Sequence, residues 1–141
     1  MFAIRLRPRG ENASGRPGTR KLALLLLAPL LLVACSVSEA EQVARGRTLY
    51  TQTCRQCHGD AATGEGAVTD TPLHTVAGHT WHHADGQLAD IILGRLVYPN
   101  KKMPSFAGQL TQQDVQAILA YLKSTWPQEQ RDYQAQASRQ R

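Results

Sequence analysis

The sequence predicts an all-α domain of about three main helices joined by long loops. Apolar residues recur at helical spacing in three separate stretches, near residues 39–55, 85–96 and 111–126. No pair of stretches alternates as strands of a hairpin would. Residues 59–84, "GDAATGEGAVTDTPLHTVAGHTWHHA", keep no period and are punctuated throughout by Gly, Thr, Asp and Pro. An irregular run of about 20 residues or more is out of place in a compact domain unless it wraps something large.

The first third of the chain reads as an export signal. Residues 1–21 carry Arg5, Arg7, Arg9, Arg16, Arg20 and Lys21 against Glu11 alone, and "LALLLLAPLLLVA", Leu22 to Ala34, follows. That apolar run falls short of the roughly 20 residues a spanning helix needs, but fits the core of a secretory signal. "LVAC", Leu32 to Cys35, resembles the lipobox of bacterial lipoproteins, in which the cysteine becomes the lipidated first residue. An ordinary signal with an incidental Cys35 is the alternative. The expected organisation is a lipoprotein signal peptide over 1–34, a lipidated linker over 35–38, a folded domain over 39–127 and a polar, disordered tail over 128–141. Lipid on Cys35 would tether the domain to the bacterial cell envelope, facing the periplasm, without a spanning helix.

Charge follows the same division. The whole chain is +5, with 16 basic and 11 acidic residues, and residues 1–34 hold six of the basic and one of the acidic. The remainder is formally neutral. The basic footprint of a nucleic-acid-binding domain is therefore missing from the folded part.

In the first helix, Ser38 and Glu41 have capping-box spacing, and Val43, Gly46 or Arg47, and Tyr50 share one face. The helix is expected over about 39–55, with "CRQCH" at its C-terminal end. Asp85 is expected to cap the second helix, "GQLADIILGRL", whose apolar face is Leu88, Ile91, Ile92 and Leu96. A loop broken by Pro99 and Pro104 comes next. Thr111 and Asp114 then occupy N-cap and N3 positions of a third helix. Its face is Val115, Ile118, Leu119, Leu122 and Trp126, and Pro127 ends it. A domain of this size has a modest core and often depends on a covalent or metal staple.

The chemistry is concentrated in Cys54, Cys57 and His58, a C-x-x-C-H cluster. A structural zinc site needs four protein ligands, and His74, His79, His82 and His83 supply no familiar zinc spacing. A thioredoxin-like pair belongs in a βαβ context. A disulfide accounts for the cysteines and leaves His58 unexplained. Covalent haem c accounts for all three residues: the thiols add to the porphyrin vinyl groups and the histidine lies under the iron.

With these residues in view, the chain resembles the class I c-type cytochromes from about Glu39 to Pro127. Gly46 and Tyr50 look like the family's N-terminal helix contacts, and "CRQCHG" like its attachment motif. "TPL", Thr71 to Leu73, looks like the proline segment whose backbone accepts a bond from the proximal histidine. "KKMPSF" resembles the methionine loop and "ILAYLKS" the C-terminal helix. The resemblance implies the small cytochrome c fold around one covalent haem, with the first and last helices crossing near Gly46. It also implies Met103 as the distal iron ligand opposite His58. A soft thioether raises the potential and fills the iron's last site, although an isolated methionine is more often core packing.

The expected function is a one-electron carrier rather than an enzyme. Its partners would be redox donor and acceptor proteins, and the membrane through the N-terminal lipid, with no nucleic acid. A haem-based peroxidase or gas sensor with a labile distal ligand is the alternative, as is a haem-bearing interaction module. Lys101 and Lys102 are read either as docking cations at the haem edge or as solvated loop lysines. In "LHTVAGHTWHH", displacement of Met103 from the iron by His82 or His83, or binding of copper or zinc by the histidines, is the alternative; helix capping or a propionate contact is the expectation for them, with Trp81 packing near the haem.

Overall fold

The computed structural model describes residues 38–96, 98–99 and 101–140. The expected signal peptide and Cys35 lie outside these residues. Among the described residues no helix is long and apolar enough to cross a membrane.

Five helices and one 3-10 turn make up this part of the chain, with no strand among the described residues. The first, α1 (Glu39–Thr53), begins at the predicted capping box: the Ser38 hydroxyl accepts from the Glu41 amide at 3.2 Å, and the Glu41 carboxylate accepts from the Ser38 amide at 2.9 Å. It stops slightly earlier than the sequence suggested. Cys54 is the C-cap, its amide donating to the Tyr50 carbonyl at 2.8 Å, and Arg55–His58 form a separate helical turn, α2.

Helix α3 (Asp85–Ile92) corrects the expected cap. Ala84 is the N-cap and Asp85 is already the first helical residue. Its carboxylate is directed elsewhere, to Lys123 Nζ and Gln134 Nε2, while its amide donates to Ser138 Oγ at 3.0 Å. Leu88 and Ile92 are buried as expected; Leu96 lies beyond the helix, which ends at Leu93 and Gly94.

Helix α4 (Gln112–Thr125) follows the sequence reading closely. Thr111 and Asp114 form a full capping box, and Val115, Ile118, Leu119, Leu122 and Trp126 are all buried. Asp114 also accepts from Arg45 Nη2 of α1 at 2.6 Å. Bonds from Thr111, reinforced by the Arg45 guanidinium, push the Asp114 carboxyl down to about 2.

Helices α1 and α4 cross where the sequence placed their contact. A methyl group on Gly46 would lie 1.9 Å from the Ala117 carbonyl oxygen, well inside van der Waals contact. Only glycine lets the two backbones approach so closely. Tyr50 packs beside this crossing with its ring against Tyr121, the centroids 5.5 Å apart.

The expected disordered tail is a helix instead. Gln128–Arg139 form α5, which packs on the Thr80–His82 turn and on α3. Its contacts are largely polar, which hid them from a search for an apolar stripe. Gln134 is 1 % exposed and donates to the His83 carbonyl at 3.3 Å as well as to Asp85. Tyr133 meets the edge of Trp81, the centroids 5.3 Å apart.

Candidate functional site

The C-x-x-C-H cluster sits where α1 gives way to the irregular segment. Cys54 is buried, Cys57 is exposed, and both are free thiols. Burial, with the neighbouring Cys57 sulfur, pushes the Cys54 thiol up to about 11. Such a group is protonated at neutral pH, the opposite of the low-pKa thiolate a redox C-x-x-C motif uses. Among the described residues, no group of three or more His, Cys, Asp and Glu side chains is placed to hold a metal ion, so the zinc reading finds no ligand set there.

The turn after the cluster is tightly built. Tyr50 donates its hydroxyl to the Gly59 carbonyl at 3.0 Å, tying α1 to the residue after His58. Gly59 has φ +70°, and a side chain there would meet the backbone of Gly64, Glu65 and Ala67. Asp60 accepts from the Ala62 and Thr63 amides at 2.9 and 3.1 Å, and these bonds hold its carboxyl below the usual range. The Val68 amide returns to the Cys57 carbonyl at 2.9 Å. These side-chain and backbone bonds give the segment shape without periodicity.

His58 is 9 % exposed, and its Nδ1 lies 2.8 Å from the Pro72 carbonyl oxygen. A carbonyl can only accept, so Nδ1 carries a proton, and Nε2 is the nitrogen left to bind a metal. This is the arrangement a metal-ligating imidazole requires, with the second nitrogen fixing ring orientation. It also matches the role that the resemblance gave to the "TPL" segment.

His74 enters the site from the same segment, where the sequence reading expected only helix capping or a propionate contact. Its ring stacks on His58 with centroids 4.3 Å apart and planes inclined by 24°. His74 Nδ1 lies 2.8 Å from Thr80 Oγ1, and the Thr80 hydroxyl donates to the Leu73 carbonyl at 3.3 Å. The threonine proton is thereby committed, and His74 Nδ1 must be the donor to its oxygen. Burial, and secondarily the proximity of His58, push the His74 imidazole down to about 3. It is a neutral ring at any physiological pH. Trp126 Nε1 donates to the His74 carbonyl at 2.7 Å, so the end of α4 anchors the same residue. No spacing rule marks this histidine; two residues beyond Pro72 is the one sequence clue to it.

The other histidines are not brought into this group. His79 and His83 meet edge to face, His82 packs on Trp81 and Tyr133, and His83 Nδ1 lies 3.3 Å from Gln87 Oε1. Trp81 donates through Nε1 to the Gly78 carbonyl at 3.0 Å and packs partly buried against the core.

Met103 is half-buried and packs against the core cluster. Lys101 is not a free solvated lysine: Nζ donates to the Ile91 carbonyl of α3 at 3.0 Å. Lys102 is exposed. Two free thiols three residues apart and an imidazole whose Nδ1 is committed to a backbone carbonyl fit covalent haem c. Residues 41–122 match the family described as Cytochrome C oxidase, cbb3-type, subunit III. No solved structure matches the chain.

Proposed function

This chain belongs to the family described as Cytochrome C oxidase, cbb3-type, subunit III, a family of c-type cytochromes, and from that premise we propose that it is a His/Met-ligated one-electron carrier of a membrane-associated respiratory chain. Its covalent haem c supplies the ferric/ferrous couple; the polypeptide sets orientation, potential and access. In this reading Cys54 and Cys57 form the two thioethers, His58 binds iron through Nε2, and Met103 binds through its thioether sulfur. The observation that carries the reading is the His58 Nδ1–Pro72 carbonyl bond, which occupies one ring nitrogen and leaves Nε2 as the one to bind iron.

A filled distal site suits electron transfer and obstructs small-molecule binding. No catalytic acid, base or nucleophile is needed, and the neutral, stacked His74 supplies none. We further propose one haem per chain, from the single C-x-x-C-H motif, and a periplasm-facing protein held by lipid on Cys35. Its partners are then redox proteins that donate to and accept from the same chain. The test of carrier against sensor is addition of carbon monoxide to the reduced wild-type protein. A carrier keeps its six-coordinate spectrum and binds the gas slowly and weakly; rapid, tight binding would favour the gas-sensor alternative. Cys35→Ser should release correctly cleaved protein from membranes or leave it unprocessed. Cleaved mutant protein that still sediments with membranes would exclude the lipid anchor.

A further inference from the structure

Helix α3 ends with carbonyls that have no partner further along the same helix, as every helix does. The turn at Gly94 supplies some partners, since the Arg95 and Leu96 amides donate to the Asp90 carbonyl and the Gly94 amide to the Ile91 carbonyl at 3.2 Å; a second bond to Ile91 and the bonds to Ile92 and Leu93 come from the residues around Met103. Lys101 Nζ donates to the Ile91 carbonyl at 3.0 Å, the Phe106 amide to the Ile92 carbonyl at 3.0 Å, and the Ser105 hydroxyl to the Leu93 carbonyl at 2.9 Å. Three successive carbonyls of the last turn are taken, and their donors lie on both sides of the methionine. The lysine charge also suits the negative end of the helix dipole.

Gly94 makes the approach possible. It has φ +70°, and a methyl group on it would lie 2.4 Å from Ser105 Oγ and 2.5 Å from Ser105 Cβ. Any side chain there would be strained by the backbone and would push Ser105 off the Leu93 carbonyl.

We propose that Lys101, Ser105 and Gly94 are positioning residues for Met103: they fasten its loop to the C-terminal turn of α3 and so set how often the methionine can leave the iron. The proposal rests on Met103 being the distal ligand. Lys101 is two residues before the methionine and Ser105 two after it. With both ends held, the thioether has little room to swing away; with either released, the loop can open from that side. The second role suggested for Lys101, a docking cation, is weakened by the same geometry, since its ammonium is turned onto the protein.

The test is the rate at which carbon monoxide binds the reduced holoprotein, because the gas needs the methionine to leave. One hydrogen bond of ordinary net strength changes an equilibrium by about five-fold. Ser105→Ala and Lys101→Leu should each speed binding by about that factor, with a weaker near-infrared sulfur–iron band in the ferric protein. Their combination should speed it by more than ten-fold, and Gly94→Ala should match or exceed either single variant. Lys101→Arg, which keeps a donor and a charge, should restore a rate near wild type. Asp114→Asn loosens the fold at the distant α1–α4 contact and should lower the melting temperature without changing the rate.

Met103→Ala belongs in the same series. If it fails to speed binding, methionine ligation itself is wrong and the clamp falls with it. If it speeds binding while Ser105→Ala, Lys101→Leu and their combination leave the rate at the wild-type value, ligation stands and the clamp is overturned. A rate that rises equally in Asp114→Asn would reduce the effect to general destabilisation and also overturn the proposal.

Discussion

The segment that holds His58 and the loop that carries Met103 are both irregular, but they are fastened differently. Around His58, the ring nitrogen is bound to Pro72, one face is covered by His74, and His74 is held by Thr80 and, through its carbonyl, by Trp126. Thr75 and Thr80 nearby are buried. Around Met103 the fastenings are at the edges, from Lys101, Ser105 and Phe106 to the end of a short helix, and Lys102, Pro104 and Ser105 are exposed. One histidine sits in a polar lattice that leaves it a single orientation. The methionine depends on a loop that a few bonds keep shut. On the proposed His/Met ligation, the asymmetry says which ligand would be lost first when the protein is stressed.

The greatest disruption to the comparison removes what both sides would grip. Cys54→Ala with Cys57→Ala should abolish covalent haem on a denaturing gel. Circular dichroism should show most of the helical signal lost, because a domain this small has little other core. A soluble double mutant with full helical content would mean that the α1–α4 crossing at Gly46 suffices without the cofactor.

A smaller perturbation separates the two sides. Thr80→Val keeps the shape of the side chain and removes the oxygen that His74 Nδ1 donates to. Leaving that buried donor unpaired should cost about 1–3 kcal/mol. The loosened His74 stack should broaden the electron paramagnetic resonance of the ferric protein, through altered His58 orientation, while the rate of carbon monoxide binding stays near wild type. A faster rate with an unchanged resonance would show that the two sides are not independent.

The smallest expected effect lies away from both ligands. Asp114 is charged in the folded state down to about pH 2, against 3.8 ordinarily, because Thr111 and Arg45 hold its carboxylate. Its contribution to stability is fully present above pH 3.8 and is lost as pH falls through about 2, where the folded state also takes up the proton. In acid titrations followed by circular dichroism, Asp114→Asn should be less stable than wild type at neutral pH, and the difference should shrink between about pH 4 and 2. A difference that stays constant across this window would mean that the charge contributes nothing.

How much of this was legible in the sequence depends on the kind of interaction. The two capping boxes and the apolar face of α4 follow local rules, and the structure has them where the spacing put them; the close approach at Gly46 lies where the family resemblance implied it. Asp85 obeyed no such rule. Its carboxylate is claimed by Lys123 and Gln134, 38 and 49 positions away, so a good capping residue does not cap. Helix α5 was missed for a related reason: Gln134, Ser138 and Tyr133 bind it through polar and edge contacts that leave no hydrophobic stripe. In the candidate site, Cys54, Cys57 and His58 are proposed from their spacing and Met103 from its place in the loop that the resemblance supplies. His74 is not, because its importance lies in where a non-periodic segment folds back, and Lys101 reads as surface charge until its partner carbonyl is known.

The distal ligand decides between a carrier and a haem protein that binds small molecules, and near-infrared absorption of the ferric protein tests it most directly. Wild type should have the sulfur–iron charge-transfer band, and His82→Ala and His83→Ala should keep it. Met103→Ala should lose it while retaining covalent haem, and its midpoint potential should fall as a soft ligand gives way to water or a nearby histidine. A band that survives Met103→Ala, or a wild type that lacks it and loses its distal ligand in a histidine variant, would contradict methionine ligation and with it the high-potential carrier.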